Sequence, residues 1–319
     1  MKPARLLGLF VCALGIAGAT GAAEAQTVLR VGGTPNYGPV LPVQAAQKLG
    51  LFDKAGVKVE FTGYQGGAAG MEALAAGEAD LVNYFPPGIA LAKARGVKAT
   101  IVAAGTVTPR GWRVMVKKDS PIREPRQLAG KKIGTSAPGS TTDFFALWAQ
   151  KEAGGAMIRV PVGGAGLIPN LSAGNVDAVV AYPPVSYQLE LSGAGRALID
   201  LGTAMKPNLP DVWVASDKAL SEKKDAVTKF MAALYGAVRY MQANPEWTVK
   251  FLQEQTKFDA AVARQEYENT VKGLSPDGVF EEGWLTESLS LATLAGMKDL
   301  PPVKSLYTLD YVPVKPLAP

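Results

Sequence analysis

The strongest constraint on the fold of this chain is an internal repeat, in which residues 66–87 match residues 163–184 at a constant separation of 97 residues. Ten of the 22 aligned positions are identical without a gap. The matches include a Leu-x-Ala-Gly-x-x-Asp segment and a Pro-Pro pair, which are not products of Gly/Ala-rich low complexity. Because self-similarity at a fixed separation indicates a structural unit that is built more than once, we predict two related units.

Each copy of the repeat follows the order Gly-Gly turn, short helix, strand, aromatic residue and Pro-Pro. Gly77 and Gly174 are placed to end the helices, and Asp80 and Asp177 fall in the turns before the strands. The strands then carry aromatic residues to their carboxyl ends, namely Tyr84, Phe85 and Tyr182. Aromatic side chains beside glycine turns line a cleft more often than a core, so we expect a cleft between the two units.

The chain as a whole alternates short β-branched runs with helical patterns from Val28 onward, which is typical of βαβ units and a mostly parallel sheet. From Asp225 the pattern is helical to near the end. Two segments, one before residue 108 and one after residue 211, have the pattern of crossings, in which the chain passes from one lobe to the other. They predict a discontinuous first lobe of residues 26–107 and 212–319. Residues 108–211 would form the second lobe.

The first 25 residues have the pattern of a signal peptide. Lys2 and Arg5 give a positive start, Leu6 to Ala19 are apolar, and Ala23-Glu24-Ala25 is a small-x-small cleavage site. No later segment reaches the roughly 20 apolar residues that a bilayer crossing needs. We therefore expect a soluble protein exported to the periplasm.

The composition excludes several chemistries. The chain has no histidine, and its single cysteine is Cys12, inside the predicted signal peptide. Ser-His-Asp and Cys-His nucleophiles and the common zinc sites all need these residue types, so we predict no catalytic residues, no metal and no cofactor, although carboxylate-only catalysis stays open. The formal net charge of +5 is spread without a dense basic run, which argues against a nucleic-acid partner.

A strand-turn-helix segment around Ser140 is the first candidate for a ligand contact. Residues 133–135 indicate a strand end, residues 136–139 a turn, and Ser140 a helix cap. Such a helix start directs backbone N–H groups and a positive dipole end into a crevice. An alternative is that Ser140 and Asp143 form only a Ser-x-x-Asp capping box. The repeat suggests that the facing helix start in the other lobe is Gly66-Gly67-Ala68.

Four segments resemble one family, the periplasmic solute-binding proteins of nitrate, taurine, alkanesulfonate and thiamine-precursor ABC importers. They are residues 41–57, 72–80, 116–122 and 128–134. The resemblance implies a type II periplasmic binding protein fold: two α/β lobes, a two-strand hinge and a helical C-terminal region. It also implies a monomer that closes over a small molecule and docks transiently on an ABC permease in the inner membrane.

The family pattern, carried over by position, implies a set of ligand contacts. Arg110 is the only cation that we place near the cleft, although it could instead pair with a carboxylate between the lobes; Trp112 could belong to the core. The implied ligand-binding residues are Thr34, Asn36, Tyr37, Gln65, Gly66, Gly67, Ala68, Tyr84, Phe85, Arg110, Trp112, Ser136, Ser140, Thr141 and Tyr182.

Three functions are compatible with this pattern. The first is a binding protein, not an enzyme, for a small organic acid, a sulfonate or a heteroaromatic compound. The second is a thiamine-pyrimidine synthase, an enzyme class with the same fold. That class uses an active-site histidine and a cysteine-rich motif, and this chain has neither. The third is the ligand-sensing subunit of a membrane receptor, which only a partner could distinguish from the first.

Overall fold

The computed structural model describes residues 27–319, so the predicted signal peptide lies outside the described residues. Two five-stranded sheets are present in this part of the chain. The strands are β1 (Val28–Gly33), β2 (Lys58–Gly63), β3 (Leu81–Tyr84), β4 (Ala99–Thr106), β5 (Arg113–Lys117), β6 (Lys132–Thr135), β7 (Ile158–Pro161), β8 (Ala178–Ala181), β9 (Gly195–Asp200) and β10 (Asp211–Ser216). Their order is β2-β1-β3-β10-β4 in the first sheet and β7-β6-β8-β5-β9 in the second.

Helices surround both sheets. They are α1 (Leu41–Lys48), α2 (Leu51–Ala55), α3 (Gly67–Ala75), α4 (Pro86–Ala94), α5 (Thr141–Ala153), α6 (Leu167–Ala173), α7 (Val185–Leu191), α8 (Leu201–Ala204), α9 (Asp217–Glu222), α10 (Lys224–Ala243), α11 (Pro245–Thr256), α12 (Ala260–Asn269) and α13 (Glu282–Leu294). Within residues 27–319, no helix combines the length and the apolar character that a membrane crossing requires.

The sequence repeat corresponds to two equivalent pieces of structure, α3-β3-α4 and α6-β8-α7. Each repeated aspartate forms hydrogen bonds with the backbone of the neighbouring strand. A carboxylate oxygen of Asp80 accepts the backbone N–H of Arg30 at 2.8 Å, and one of Asp177 accepts that of Lys132 at 2.8 Å. The backbone N–H of each aspartate donates in return to the carbonyl of the same partner. The repeat therefore encodes the junction between a strand and the parallel strand beside it.

In each sheet four of the five strands run in the same direction, as predicted, and one strand runs in the opposite direction. β10 lies antiparallel between β3 and β4, and β5 lies antiparallel between β8 and β9. Residues 212–216, predicted as a crossing, are thus part of the first sheet, and the chain passes between the sheets at residues 107–112 and 201–210. The reversed direction of β5 and β10 could not be predicted, because a β-branched run indicates a strand without indicating the direction in which it runs. We call the first sheet with its helices lobe 1 and the second lobe 2; the predicted lobe boundaries stay a prediction.

The C-terminal helices hold the two lobes against each other. α10 packs on α1 and α2 and buries Phe230 against Trp213 of β10, with ring centroids 5.7 Å apart. α13 packs on both α4 of lobe 1 and α5 of lobe 2. On α13 the fully buried Ser288 accepts the backbone N–H of Leu209 at 2.8 Å and donates to its carbonyl at 3.1 Å. These bonds fix the second crossing segment to the helical region.

Candidate functional site

A small cavity, here called the inner cavity, lies between the two lobes. It encloses about 30 Å³, which is room for roughly two water molecules. Residues of both lobes and Trp112 of the first crossing region form its wall. They are Thr34, Tyr37, Gly66, Gly67, Asn83, Tyr84, Trp112, Ser136, Ser140, Thr141, Thr142, Tyr182 and Asp211.

Three hydroxyl groups form one side of the inner cavity, at the start of α5. Ser140 is the N-cap residue of this helix, and its Oγ lies 3.4 Å from the backbone nitrogen of Asp143. The Ser136 Oγ lies 2.9 Å from both the Ser140 Oγ and the Thr142 Oγ1, which are themselves 2.7 Å apart. Hydroxyls that both donate and accept can turn to suit a ligand. This cluster therefore offers adaptable hydrogen bonds beside a helix N-terminus.

Asp143 does not complete the predicted capping box. Its carboxylate accepts the backbone N–H of Gly139 at 2.9 Å and forms an ion pair with Arg159 at 2.7 Å. The backbone N–H of Ser140 instead donates to the carbonyl of Ala137. An acidic residue in the first turn of a helix opposes anion binding there, and the ion pair with Arg159 offsets this effect of Asp143.

The start of α3 faces the start of α5 across the inner cavity. Gly66 has φ +141°, and a Cβ built on it would lie 3.3 Å from the Ser136 Oγ. The first turn of α3 contains no acidic residue. Two helix N-termini, each with unpaired backbone N–H groups and a partial positive charge, thus converge on one space, as the repeat predicted for these two segments.

Asp211 lines the inner cavity and was not among the predicted site residues. It is 1% exposed, and its carboxylate accepts hydrogen bonds from Tyr37 and Asn83 at 3.0 Å each and from Thr106. Burial raises the pKa of Asp211 to about 6, against the opposing effect of these donors. The carboxylate holds two lining side chains, Tyr37 and Asn83, in fixed positions.

Aromatic rings from both lobes close the remaining wall. The Tyr37 ring meets Trp112 and Tyr182 edge-on, with centroids 5.6 and 5.8 Å apart. Burial raises the pKa of Tyr182 to about 12, so its hydroxyl keeps its proton at neutral pH. The Tyr84 hydroxyl of lobe 1 donates to the carbonyl of Gly139 in lobe 2. The two lobes therefore touch directly, and the structure represents a closed arrangement.

The structure brings ten of the fifteen predicted site residues to the inner cavity: Thr34, Tyr37, Gly66, Gly67, Tyr84, Trp112, Ser136, Ser140, Thr141 and Tyr182. Asn36 and Gln65 line a neighbouring chamber, and Ala68 lines a groove on the opposite side. Phe85 is fully buried, with its ring centroid 5.6 Å from that of Phe144. It packs between the lobes instead of facing the cavity.

Arg110 lies elsewhere than the prediction placed it. It is exposed, and it approaches Gly202 and Gly273 rather than the inner cavity. The residues that line the cavity include neither lysine nor arginine. Arg110 therefore does not supply the cation that we predicted for an acidic ligand. Positive potential at this site comes from helix N-termini instead.

Three lining residues were missed: Asn83, Thr142 and Asp211. Asn83 could have been predicted as a site residue, because it is the polar residue of an otherwise apolar strand. Asp211 lay at the predicted lobe boundary, but its contact with Tyr37 joins residues 174 positions apart. Within the described range, no group of three or more metal-ligating side chains is placed to hold a metal ion.

Comparison with protein families finds one match, to the model described as NMT1/THI5 like, over residues 39–248. Among curated proteins, a protein of Brucella abortus (strain 2308) that bears the general name binding protein is 25% identical over 300 residues, covering 90% of this chain and 92% of its own. The taurine-binding periplasmic protein of Escherichia coli (strain K12) is 27% identical over 216 residues, covering 66% of each chain.

Solved structures share the whole architecture. The alkanesulfonate-binding protein SsuA of Xanthomonas axonopodis pv. citri, bound to MOPS, superposes with a TM-score of 0.74 at 20% identity, covering 88% of this chain and 96% of its own. The desulfurization enzyme DSZB has the same fold, with a TM-score of 0.67 at 14% identity and coverage of 90% and 97%. The predicted periplasmic binding protein fold is confirmed. The fold hosts both binding proteins and an enzyme, so function must be argued from the site.

Proposed function

We propose that this chain, which belongs to the NMT1/THI5-like family, is the solute-binding component of an ABC importer. Its two lobes would close over a small molecule and deliver it to a membrane permease. The observation that carries the proposal is the inner cavity, where helix starts, hydroxyls and aromatic rings from both lobes converge on one space. A ligand that contacts both lobes stabilises the closed arrangement by its differential affinity for it.

Binding is favoured over catalysis by the state of the cavity's carboxylate. Asp211 is held by three hydrogen-bond donors and supports the positions of Tyr37 and Asn83. Taking up a proton during a reaction would weaken the hydrogen bonds by which this carboxylate holds Tyr37 and Asn83 in place, so its contacts fit a structural role better than that of a general base. The relatives named as binding proteins support the same reading.

The proposed ligand is a small organic acid, a sulfonate or a heteroaromatic compound. An acidic group would bind at the two helix starts and the Ser136 hydroxyl. Tyr37, Trp112 and Tyr182 would contact the flat or apolar part. The related taurine-binding and alkanesulfonate-binding proteins support the acidic class.

The proposed location is the periplasm, after removal of residues 1–25 as a signal peptide. The periplasmic taurine-binding relative supports this location. The proposed partners are the small molecule and an inner-membrane ABC permease, on which the loaded monomer would dock. A subunit that signals to a membrane receptor would use the same closing motion, so only the identity of the partner distinguishes that role from delivery to a permease.

Thr141→Val tests the assigned site. Thr141 lines the inner cavity outside the hydroxyl network of its neighbours. Calorimetric titration with ethanesulfonate, taurine, nitrate, benzoate and nicotinate is expected to find a ligand, and Thr141→Val to weaken it about tenfold by removing one hydrogen bond to a charged group.

Thr293→Val is the matched control, because Thr293 is exposed on α13. Arg110→Ala should also leave the affinity unchanged. The proposed acidic ligand class would be rejected if no acid or sulfonate bound, and the assigned site would be rejected if Thr141→Val and Thr293→Val bound alike.

A further inference from the structure

A second space, here called the outer chamber, adjoins the inner cavity and has a different chemical character. It encloses about 260 Å³. Thr34 and Tyr182 line both spaces, so the two spaces adjoin at these residues. The inner cavity alone is far below the roughly 300 Å³ at which small-molecule sites begin, whereas the two spaces together approach that size.

The lining of the outer chamber is uncharged. It combines three side-chain amides with aromatic and aliphatic groups, and it consists of Thr34, Pro35, Asn36, Tyr64, Gln65, Gly164, Ala165, Ile168, Tyr182, Val185, Gln188 and Phe258. Asn36 and Gln65 belong to lobe 1, whereas Gln188 belongs to lobe 2. Amides offer both donors and acceptors, so this surface suits a neutral group that needs both, not an ion.

The backbone at the outer chamber is unusual. Two non-glycine residues in the described range have positive φ: Asn36 at +58° and Lys257 at +62°. Asn36 lines the chamber, and Lys257 directly precedes the lining residue Phe258. Left-handed conformations of non-glycine residues are uncommon and cluster at functional sites. Lys257 is the C-cap residue of α11, where this conformation is common, so Asn36 is the residue whose unusual backbone lies at the chamber wall itself.

A further space, the groove lined by Ala68, also adjoins the inner cavity, and its wall differs in charge from that of the outer chamber. The groove shares only Tyr84 with the inner cavity, and its wall carries the charged side chains of Glu72 and Arg95. The hydrogen bond from the Tyr84 hydroxyl to Gly139 joins the lobes between that groove and the cavity. An uncharged extension of a ligand held in the inner cavity therefore matches the lining of the outer chamber better than that of the groove.

We propose that the outer chamber is a subsite for a neutral, planar, hydrogen-bonding group, such as an amide or an uncharged heteroaromatic ring, carried by the ligand whose polar head occupies the inner cavity. The amides of Gln65 and Gln188 bind this group from the two lobes, and Tyr64 and Phe258 contact its faces. This assignment rests on the proposed function, and it narrows the ligand class to acids with such an extension.

The test compares ethanesulfonate with N-acetyltaurine, which adds an amide to a similar head. Calorimetry should give at least about tenfold tighter binding for N-acetyltaurine, from one or two additional hydrogen bonds. The Gln65→Ala/Gln188→Ala double variant should bring the ratio of the two affinities close to one, whatever its effect on ethanesulfonate alone. A Glu72→Gln/Arg95→Gln variant of the opposite groove should preserve the advantage. Equal affinities for both probes in the parent protein would overturn the subsite.

A probe without an acidic head separates this proposal from the proposed function. Nicotinamide carries a ring and an amide only, and saturation-transfer NMR should detect its weak binding to the parent protein. The Gln65→Ala/Gln188→Ala variant should lose that signal. Absence of the signal in the parent protein, or its persistence in the variant, would overturn the subsite. Failure of both sulfonates with a normal nicotinamide result would overturn only the acidic ligand class.

Discussion

Glu266→Gln is expected to make the protein more stable than the parent at pH 9 and equally stable at pH 5. Glu266 lies on α12 and is 1% exposed, and neither of its carboxylate oxygens has a hydrogen-bond partner among residues 27–319. Its side chain packs directly against the backbone of Gly38. Burial raises the pKa of Glu266 to about 8, from an ordinary value of 4.5.

The sign of the effect follows from proton linkage. Between pH 4.5 and about pH 8 the folded protein retains a proton on Glu266 that the unfolded chain has released. Stability therefore falls as the pH rises through this interval, and the loss is complete above the folded pKa. Glutamine imitates the protonated carboxyl and removes this loss, which is on the order of 4 kcal/mol.

Thermal unfolding between pH 5 and pH 9 measures the difference. A stabilisation of this size corresponds to a Tm increase on the order of 5–10 °C at the alkaline end. Glu268→Gln is the matched control, because Glu268 is exposed on the same helix and pairs with Lys272. If the parent and Glu266→Gln lost stability equally with rising pH, the buried carboxyl would not be the cause.

Gly67→Ala is expected to lower ligand affinity by about 10- to 100-fold while the protein stays folded. A Cβ on Gly67 would overlap the ring of Tyr84, which lines the inner cavity and bonds to Gly139 in the other lobe. Displacing the ring fills the cavity and breaks this contact between the lobes. Overpacking of this kind costs about 1–3 kcal/mol. The overlap lies within lobe 1, whereas the loss of the Tyr84–Gly139 contact and of cavity space weakens the closed state specifically.

Two measurements separate closure from folding. Calorimetry with the tightest acid of the ligand panel should show the loss of affinity, and small-angle X-ray scattering should show a larger radius of gyration for Gly67→Ala. Gly70→Ala is the control on the same helix, since its Cβ would meet its nearest neighbour at an ordinary 3.4 Å. Wild-type affinity in Gly67→Ala would show that Tyr84 can move without consequence.

Much of the architecture was accessible from local patterns. The repeat predicted two equivalent strand-helix units, and the structure shows why its aspartates recur: Asp80 and Asp177 each bind the backbone of a neighbouring strand. The polar cap at Ser140 predicted the start of α5. Such features involve residues close in sequence or a copied segment, so a single chain displays them directly.

The candidate site was predictable only in part. Residues that follow strands, such as Ser136 and Tyr182, reached the inner cavity because the carboxyl ends of strands meet at one edge of a sheet. Arg110 and Phe85 did not, because position along the chain does not tell which way a side chain points. Asp211 was missed because its partners come from three other strands or turns of lobe 1.

The sequence by itself determined the number of units, the absence of histidine chemistry and the helix starts that can bind a ligand. Only the tertiary structure decided the charge and the shape of the site. Burial gives Asp211 and Glu266 raised pKa values, and docking of the lobes separates a polar inner cavity from an uncharged outer chamber. Desolvation and cavity shape depend on atoms brought together from distant segments, and no local pattern contains them.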